Sequence, residues 1–275
     1  MRRHSPVLLA PLALLLLLLA GVPARAQFRA DAAAPSFAPA QPDVLYPAPR
    51  IWRLGLILGM GLNSHGGDFI PECDECRFSD GSGSGIIGGL QLEHMISPSI
   101  GIALRGLYED QRAEYSTIML KVRRGVVAGA GDPSGADTAV IDVERIMNVD
   151  LAYFTIAPVL ELFPLRDLYV SISPGIGIPV KNSYRTVERL LDDRFVFMAT
   201  GTNEKSLGTK DVFDIPDVTT PRIDVRAGIG YNLRLSPGVM FTPEVSYVYP
   251  LTNISSDDNW SASSIHALAI LKFRL

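Results

Sequence analysis

From Ile51 to the C-terminus, apolar residues recur with a period of two rather than 3.6, which is the spacing of strands. Ile51 to Asn63 sets Trp52, Leu54, Leu56, Leu58, Met60 and Leu62 on one face, against Arg53, Gly55, Ile57, Gly59 and Gly61. The same alternation returns over Gly85 to Ile96, Ser99 to Glu114, Asn148 to Phe163, Leu168 to Lys181, Arg222 to Leu235, Val239 to Thr252 and the final run to Leu275. Each of these eight segments is about 12 residues long, and a bilayer-crossing strand needs about 9 to 11. Their connections alternate. Ser97 to Ser99, Pro164 to Asp167 and Ser236 to Gly238 have the residues of tight turns. Ser64 to Ser84, Tyr115 to about Met147, Asn182 to Pro221 and Asn253 to Ser264 are long and polar. Short alternating with long is the arrangement of an outer-membrane barrel, with both chain ends on the periplasmic side.

The expectation is therefore an all-β fold: a transmembrane up-and-down antiparallel β-barrel of eight strands, or ten if Arg194 to Thr200 adds a hairpin. A soluble sandwich or lipocalin-like barrel would alternate too, with the apolar face turned inward. Against that stand the glycines and charges sharing one face, and Trp52 and tyrosines near strand ends on the apolar face, where an aromatic girdle belongs.

The N-terminus supports export. Arg2, Arg3 and His4 precede an apolar run from Val7 to Ala20, and Ala24-x-Ala26 supplies small residues for cleavage. That reads as a signal peptide over residues 1–26, because the run is too short to span a bilayer as a helix. Residues 27–49 form an Ala/Pro-rich periplasmic lead-in, since proline at that density cannot join a sheet. Residues 50–275 form the barrel domain. The formal net charge is −4, and removing the basic signal segment leaves 22 basic against 29 acidic residues. A surface of that sign does not suit nucleic acid.

On the polar face the charges are Arg53, Glu93, Arg105, Glu109, Glu161, Asp224, Arg226, Glu244, Lys272 and Arg274. An eight-stranded barrel is just wide enough for its side chains to fill. Charges buried there must pair. The strand order suggests a ladder of Arg226, Glu244 and Lys272 on three successive strands, joined by Arg53 and Arg274 where the barrel closes, so that the lumen is a plug.

The glycine-rich Leu54-Gly55-Leu56-Ile57-Leu58-Gly59-Met60-Gly61, the Gly67-Asp68-Phe69 after it, Gly81-Ser82-Gly83-Ser84-Gly85 and Ile156-Ala157-Pro158-Val159-Leu160 resemble the outer-membrane β-barrel proteins of the Bacteroidetes–Chlorobi–Ignavibacteria type, distant relatives of the OmpA and OmpX small barrels. The resemblance covers about Trp52 to Leu275. It implies outer-membrane lipids and the barrel assembly machinery as partners, and a structural, adhesive or interaction role through extracellular loops. The chain departs from that pattern in ending on Leu275 rather than Phe, with Phe273 two residues back. Many such relatives carry a peptidoglycan-binding domain after the barrel; here the sequence stops at the barrel, so anchoring through that domain is not expected.

Cys73 and Cys76 lie in the first long connection of an exported chain, where a disulfide between them is expected. A redox Cys-x-x-Cys would open a helix, and zinc would need His65 and Asp68 as further ligands. Ser264, His266 and Glu244 could compose a lipid-modifying site, but residues two apart on a strand lie about 7 Å apart, beyond a hydrogen bond. Gly129 to Gly135 lacks the Gly-Lys-Ser/Thr ending of a phosphate loop. No cofactor, metal site or enzymatic activity is expected; a narrow passive channel or a lipid-modifying enzyme are the alternatives.

Overall fold

The computed structural model describes residues 51–69, 78–128, 137–207, 212–256 and 259–275. The signal segment, the lead-in, Cys73 and Cys76 lie outside them. The strands are β1 (Trp52–Phe69), β2 (Phe78–Ser97), β3 (Ile100–Asp110), β4 (Ala113–Ala128), β5 (Asp137–Leu162), β6 (Leu168–Leu190), β7 (Phe195–Phe197), β8 (Glu204–Ser206), β9 (Phe213–Asp214), β10 (Arg222–Tyr231), β11 (Leu233–Ser236), β12 (Val239–Pro250) and β13 (Trp260–Arg274).

Antiparallel ladders run β1–β2–β3–β5–β6–β10–β12–β13, and β13 returns to β1 from Arg53↔Arg274 to Gly67↔Trp260. The described strands thus close an eight-staved barrel. β4 prolongs β3 past a break at Gln111 and Arg112, and β11 prolongs β10 past Asn232. Closure satisfies the backbone polar groups between staves and leaves no edge in the ring.

Outside, every stave presents aliphatic residues. Leu58, Ile86, Leu104, Ile156, Ile176, Ile229, Val245 and Ile265, one per stave, are between 36% and 64% exposed. An apolar surface that encircles a molecule needs an apolar solvent. On β6 the outward row Val170, Ile172, Pro174, Ile176, Ile178 and Val180 spans ten rises of about 3.3 Å, or about 25 Å of height at a tilt near 40°. That matches the band by which a strand barrel meets a bilayer.

The staves overrun this band at the long-loop end, further than the sequence pattern suggested. Much of what the pattern reads as loop from Tyr115 to Met147 is β4 and the first part of β5, paired from Ala113↔Val149 to Val126↔Asp137. β1, β2 and β6 also run beyond their expected ends. Alternation persists there with polar residues outward, Asn148 and Asp150 for example, over Met147, Val149 and Leu151 inward. A search for an apolar outer face stops too early. Beyond the band β4, β5 and β6 form an arm. β7 pairs with β4, while β8 and β9 pair with β6. Residues 195–197 therefore build the arm and add no stave to the barrel. Ile141, Val143, Leu190 and Phe197 make the arm's own small core.

Candidate functional site

Charges on β1, β2, β3, β5, β12 and β13 meet inside the short-turn half of the lumen. Arg53 donates to Glu93, its direct cross-strand partner. Lys272 Nζ lies 2.5 Å from the other oxygen of Glu93 and 3.6 Å from Glu161. Gln91 donates to both Glu93 (3.2 Å) and Glu161 (3.3 Å), and its own carbonyl accepts from Arg105 Nε at 2.9 Å. The Arg105 guanidinium then grips Glu244 through two parallel bonds of 2.7 Å. This fork-to-carboxylate geometry is the strong form of a charge-assisted pair. Tyr169 donates to the same Glu244 at 2.5 Å, and its ring lies 5.0 Å from Lys272 Nζ. Tyr169 can lie across the lumen because its cross-strand neighbour is Gly230, where a Cβ would fall 2.4 Å from the tyrosine ring. The layer holds Arg53, Arg105 and Lys272 against Glu93, Glu161 and Glu244 and is electrically balanced.

A second layer sits toward the long loops. Arg226 binds Glu109 and also Asp224, the latter at 2.7 and 3.0 Å. Thr155 donates to Glu109 at 2.7 Å, and His266 Nδ1 stands 3.8 Å from it. Arg222 lies 3.5 Å from Asp224, with its guanidinium carbon 4.8 Å from the centre of the Tyr153 ring. Between the layers pack Ile57, Ile87, Leu107, Leu268 and Ile270, beside a void of about 10 Å³, which is room for one water.

Above the second layer the lumen turns aromatic. Trp260 Nε1 donates to the Tyr115 hydroxyl at 2.6 Å, and that hydroxyl lies 2.9 Å from His65 Nδ1. His65 Nε2 lies 2.9 Å from the Gln111 carbonyl oxygen. A carbonyl can only accept, so Nε2 carries the proton and Nδ1 accepts from Tyr115. With Phe78, Met147, Leu151 and Tyr184 these residues pack into one buried cluster at the long-loop end of the lumen.

The expected ladder is therefore wired differently. Arg226, Glu244 and Lys272 are all inward, but Glu244 binds Arg105, Arg226 binds Glu109 and Asp224, and Lys272 binds Glu93. Arg274 is exposed at the short-turn end and makes no ion pair among the described residues. It stands opposite Arg53 at the open end of the barrel, where its guanidinium stays in water. Sequence reasoning missed Gln91, Tyr169 and Arg222, although parity puts all three on the inner face. Ser264 donates to Asn63 at 2.8 Å, so Ser264, His266 and Glu244 face three different partners. Among the described residues no cluster of His, Cys, Asp or Glu could hold a metal ion.

Beyond the band, Glu188 is buried in the arm between Arg124, at 2.6 Å, and Arg145, at 2.9 Å. Burial pushes its carboxyl up, but the bonds and charges of the two arginines outweigh that and hold it below the usual range.

No family model matches the chain, and no curated protein matches it. Solved structures do align along its length. The attachment invasion locus protein Ail of Yersinia pestis is 8% identical, with 81% of this chain and 98% of that one covered, at a TM-score of 0.31. Neisserial surface protein A is 11% identical over 81% and 97%, at 0.34. The outer membrane protease OmpT from Escherichia coli is 8% identical over 82% and 97%, at 0.27. Scores and identities of this size assign neither family nor activity.

Proposed function

We propose that the chain is an integral outer-membrane β-barrel whose lumen is a plug and whose role is structural, adhesive or interactive, exercised from the long-loop side. In this reading the short turns face the periplasm, the barrel assembly machinery inserts the chain, and outer-membrane lipids surround the aliphatic belt. The sequence resemblance to the Bacteroidetes–Chlorobi–Ignavibacteria barrels belongs to the same reading. One observation carries it: a belt about 25 Å tall encircles a ring whose interior is filled by two balanced charge layers and an aromatic cap. Passage of a solute would require buried pairs to separate and leave charges uncompensated, at several kcal/mol each.

The test has two readouts. The protein should fractionate with the outer membrane and migrate faster in SDS gels unheated than boiled, because a closed barrel offers detergent no edge. In planar bilayers it should give no steady unit conductance. Recovery from the soluble periplasm would refute the membrane assignment; reproducible open-channel steps would refute the plug.

A further inference from the structure

Just above the aliphatic belt, the outer wall carries a groove of about 430 Å³ that the lumen chemistry does not use. Register places its side chains. Ser82, Glu114, Asn148 and Arg185 form one transverse row across β2, β4, β5 and β6. Asp150 and Ser183 are paired in the next row toward the belt, with Arg112 beside Asp150, between the Asp110↔Ala152 and Ala113↔Val149 pairs. Ala113, Val149 and Tyr184 point into the barrel, so Arg112, Glu114, Asn148, Asp150 and Arg185 point out, and all five are exposed.

Part of the charge in this groove is left unpaired by the fold. Arg112 is committed to Asp110 at 2.9 Å. Among the described residues the side chains of Arg185, Glu114, Asn148 and Asp150 make no hydrogen bond or ion pair, and the two acids act only through space, Asp150 on Arg112 and Glu114 on Arg189. The floor is continuous with apolar wall, since Ile86, Phe154 and Val180 on the same staves are exposed below it. An apolar wall passing into a groove where, among the described residues, Arg185, Glu114 and Asp150 make no ion pair fits an amphiphile whose polar end carries both signs. We propose that the groove binds the headgroup of an outer-leaflet lipid bearing a phosphate and an amine, the phosphate on Arg185 and the amine on Glu114 and Asp150. A guanidinium and two carboxylates provide charge-assisted bonds to those groups, and Ser82, Ser183 and Asn148 supply neutral donors and acceptors around them. A headgroup with phosphate alone would bring a negative charge beside Glu114 and Asp150 with no amine to offset them. The inference rests on the membrane-barrel reading and deepens it by naming the class of lipid.

Native mass spectrometry of the detergent-folded protein would compare phosphatidylethanolamine with phosphatidylglycerol, and a parallel titration would use free phosphoethanolamine. The expected result is preferential retention of phosphatidylethanolamine. Arg185→Gln should lower that retention about tenfold, Asp150→Asn should shift preference toward phosphatidylglycerol, and Arg194→Gln, in an exposed loop, should change nothing. Heat-modifiable migration verifies that each variant is folded, and Glu114→Gln replaces any that is not. Equal retention of the two lipids, or folded Arg185→Gln and Asp150→Asn variants that bind as the parent does, would overturn the proposal. Free phosphoethanolamine binding as tightly as the lipid would overturn the lipid as its source. If the parent chain itself is not a heat-modifiable membrane protein, the barrel reading fails instead, so the two failures are separable.

Discussion

Removing the Glu244 carboxylate tests the lumen most directly. In the native barrel it accepts two bonds from Arg105 and one from Tyr169, and all three side chains are buried. Glu244→Ala leaves Arg53, Arg105 and Lys272 facing only Glu93 and Glu161 in that layer. Breaking a buried pair this way costs about 3 to 5 kcal/mol. At about 1.4 kcal/mol per decade that is about a 100- to 4,000-fold loss in the folding constant. With a urea slope of about 2 kcal/mol/M, the midpoint should fall by about 1.5 to 2.5 M. The control is Glu204→Ala, whose partner Arg189 is 2.8 Å away but where both side chains are more than 40% exposed; exposed pairs contribute about 0 to 1 kcal/mol. A second variant separates the cost of an orphaned charge from the worth of the pair. Arg105→Met with Glu244→Leu restores two cations against two acids, and apolar replacement of a buried pair is often neutral. The double variant should recover most of the midpoint that Glu244→Ala loses. The measurement is reversible urea unfolding in lipid vesicles, followed by tryptophan fluorescence. Equal midpoints for Glu244→Ala and Glu204→Ala would mean that Glu244 is hydrated, and the plug account would fall with that result.

Three further outcomes follow from other parts of the molecule. Gly230→Ala should destabilise the barrel by about 1 to 3 kcal/mol, because a Cβ there overlaps the Tyr169 ring; Gly238→Ala, where nothing lies within 4 Å, should change the urea midpoint far less. Glu188 has its folded pKa held below its unfolded value, so its contribution is present above the unfolded pKa and is lost as pH falls through the lower, folded one. Protection of the arm against external protease should therefore weaken on acidification below the ordinary carboxylate range, and Glu188→Gln should flatten that dependence; an unchanged profile in the variant would refute it. Cys73 and Cys76, in an exported chain, should resist thiol labelling until a reductant is added, and quantitative labelling of the untreated folded protein would show them reduced.

The sequence alone determined the all-β fold, the eight staves and the facing of their side chains, because each of these follows from a period that a strand imposes locally. Leu54 and Arg53 are adjacent, and the pleat sends them to opposite sides whatever the rest of the chain does. The three tight turns likewise announce themselves through Pro, Ser, Asp and Gly. Two things were decided only by tertiary structure. One is the wiring of the lumen: Arg105 and Glu244 lie 139 residues apart on staves that are not neighbours. Parity puts both inside but does not say at which height each stave presents its charge. The stagger acquired on closing the barrel sets that height, bringing Arg105 to Glu244 while leaving Arg226 to Glu109 and Arg274 in water. The other is the length of the staves. Past the belt the outer face leaves the hydrocarbon, so Asn148, Asp150 and Arg185 replace aliphatics and the strands read as loops. Only the ladders among β4, β5 and β6 hold them extended, and with them the groove that their outward side chains line.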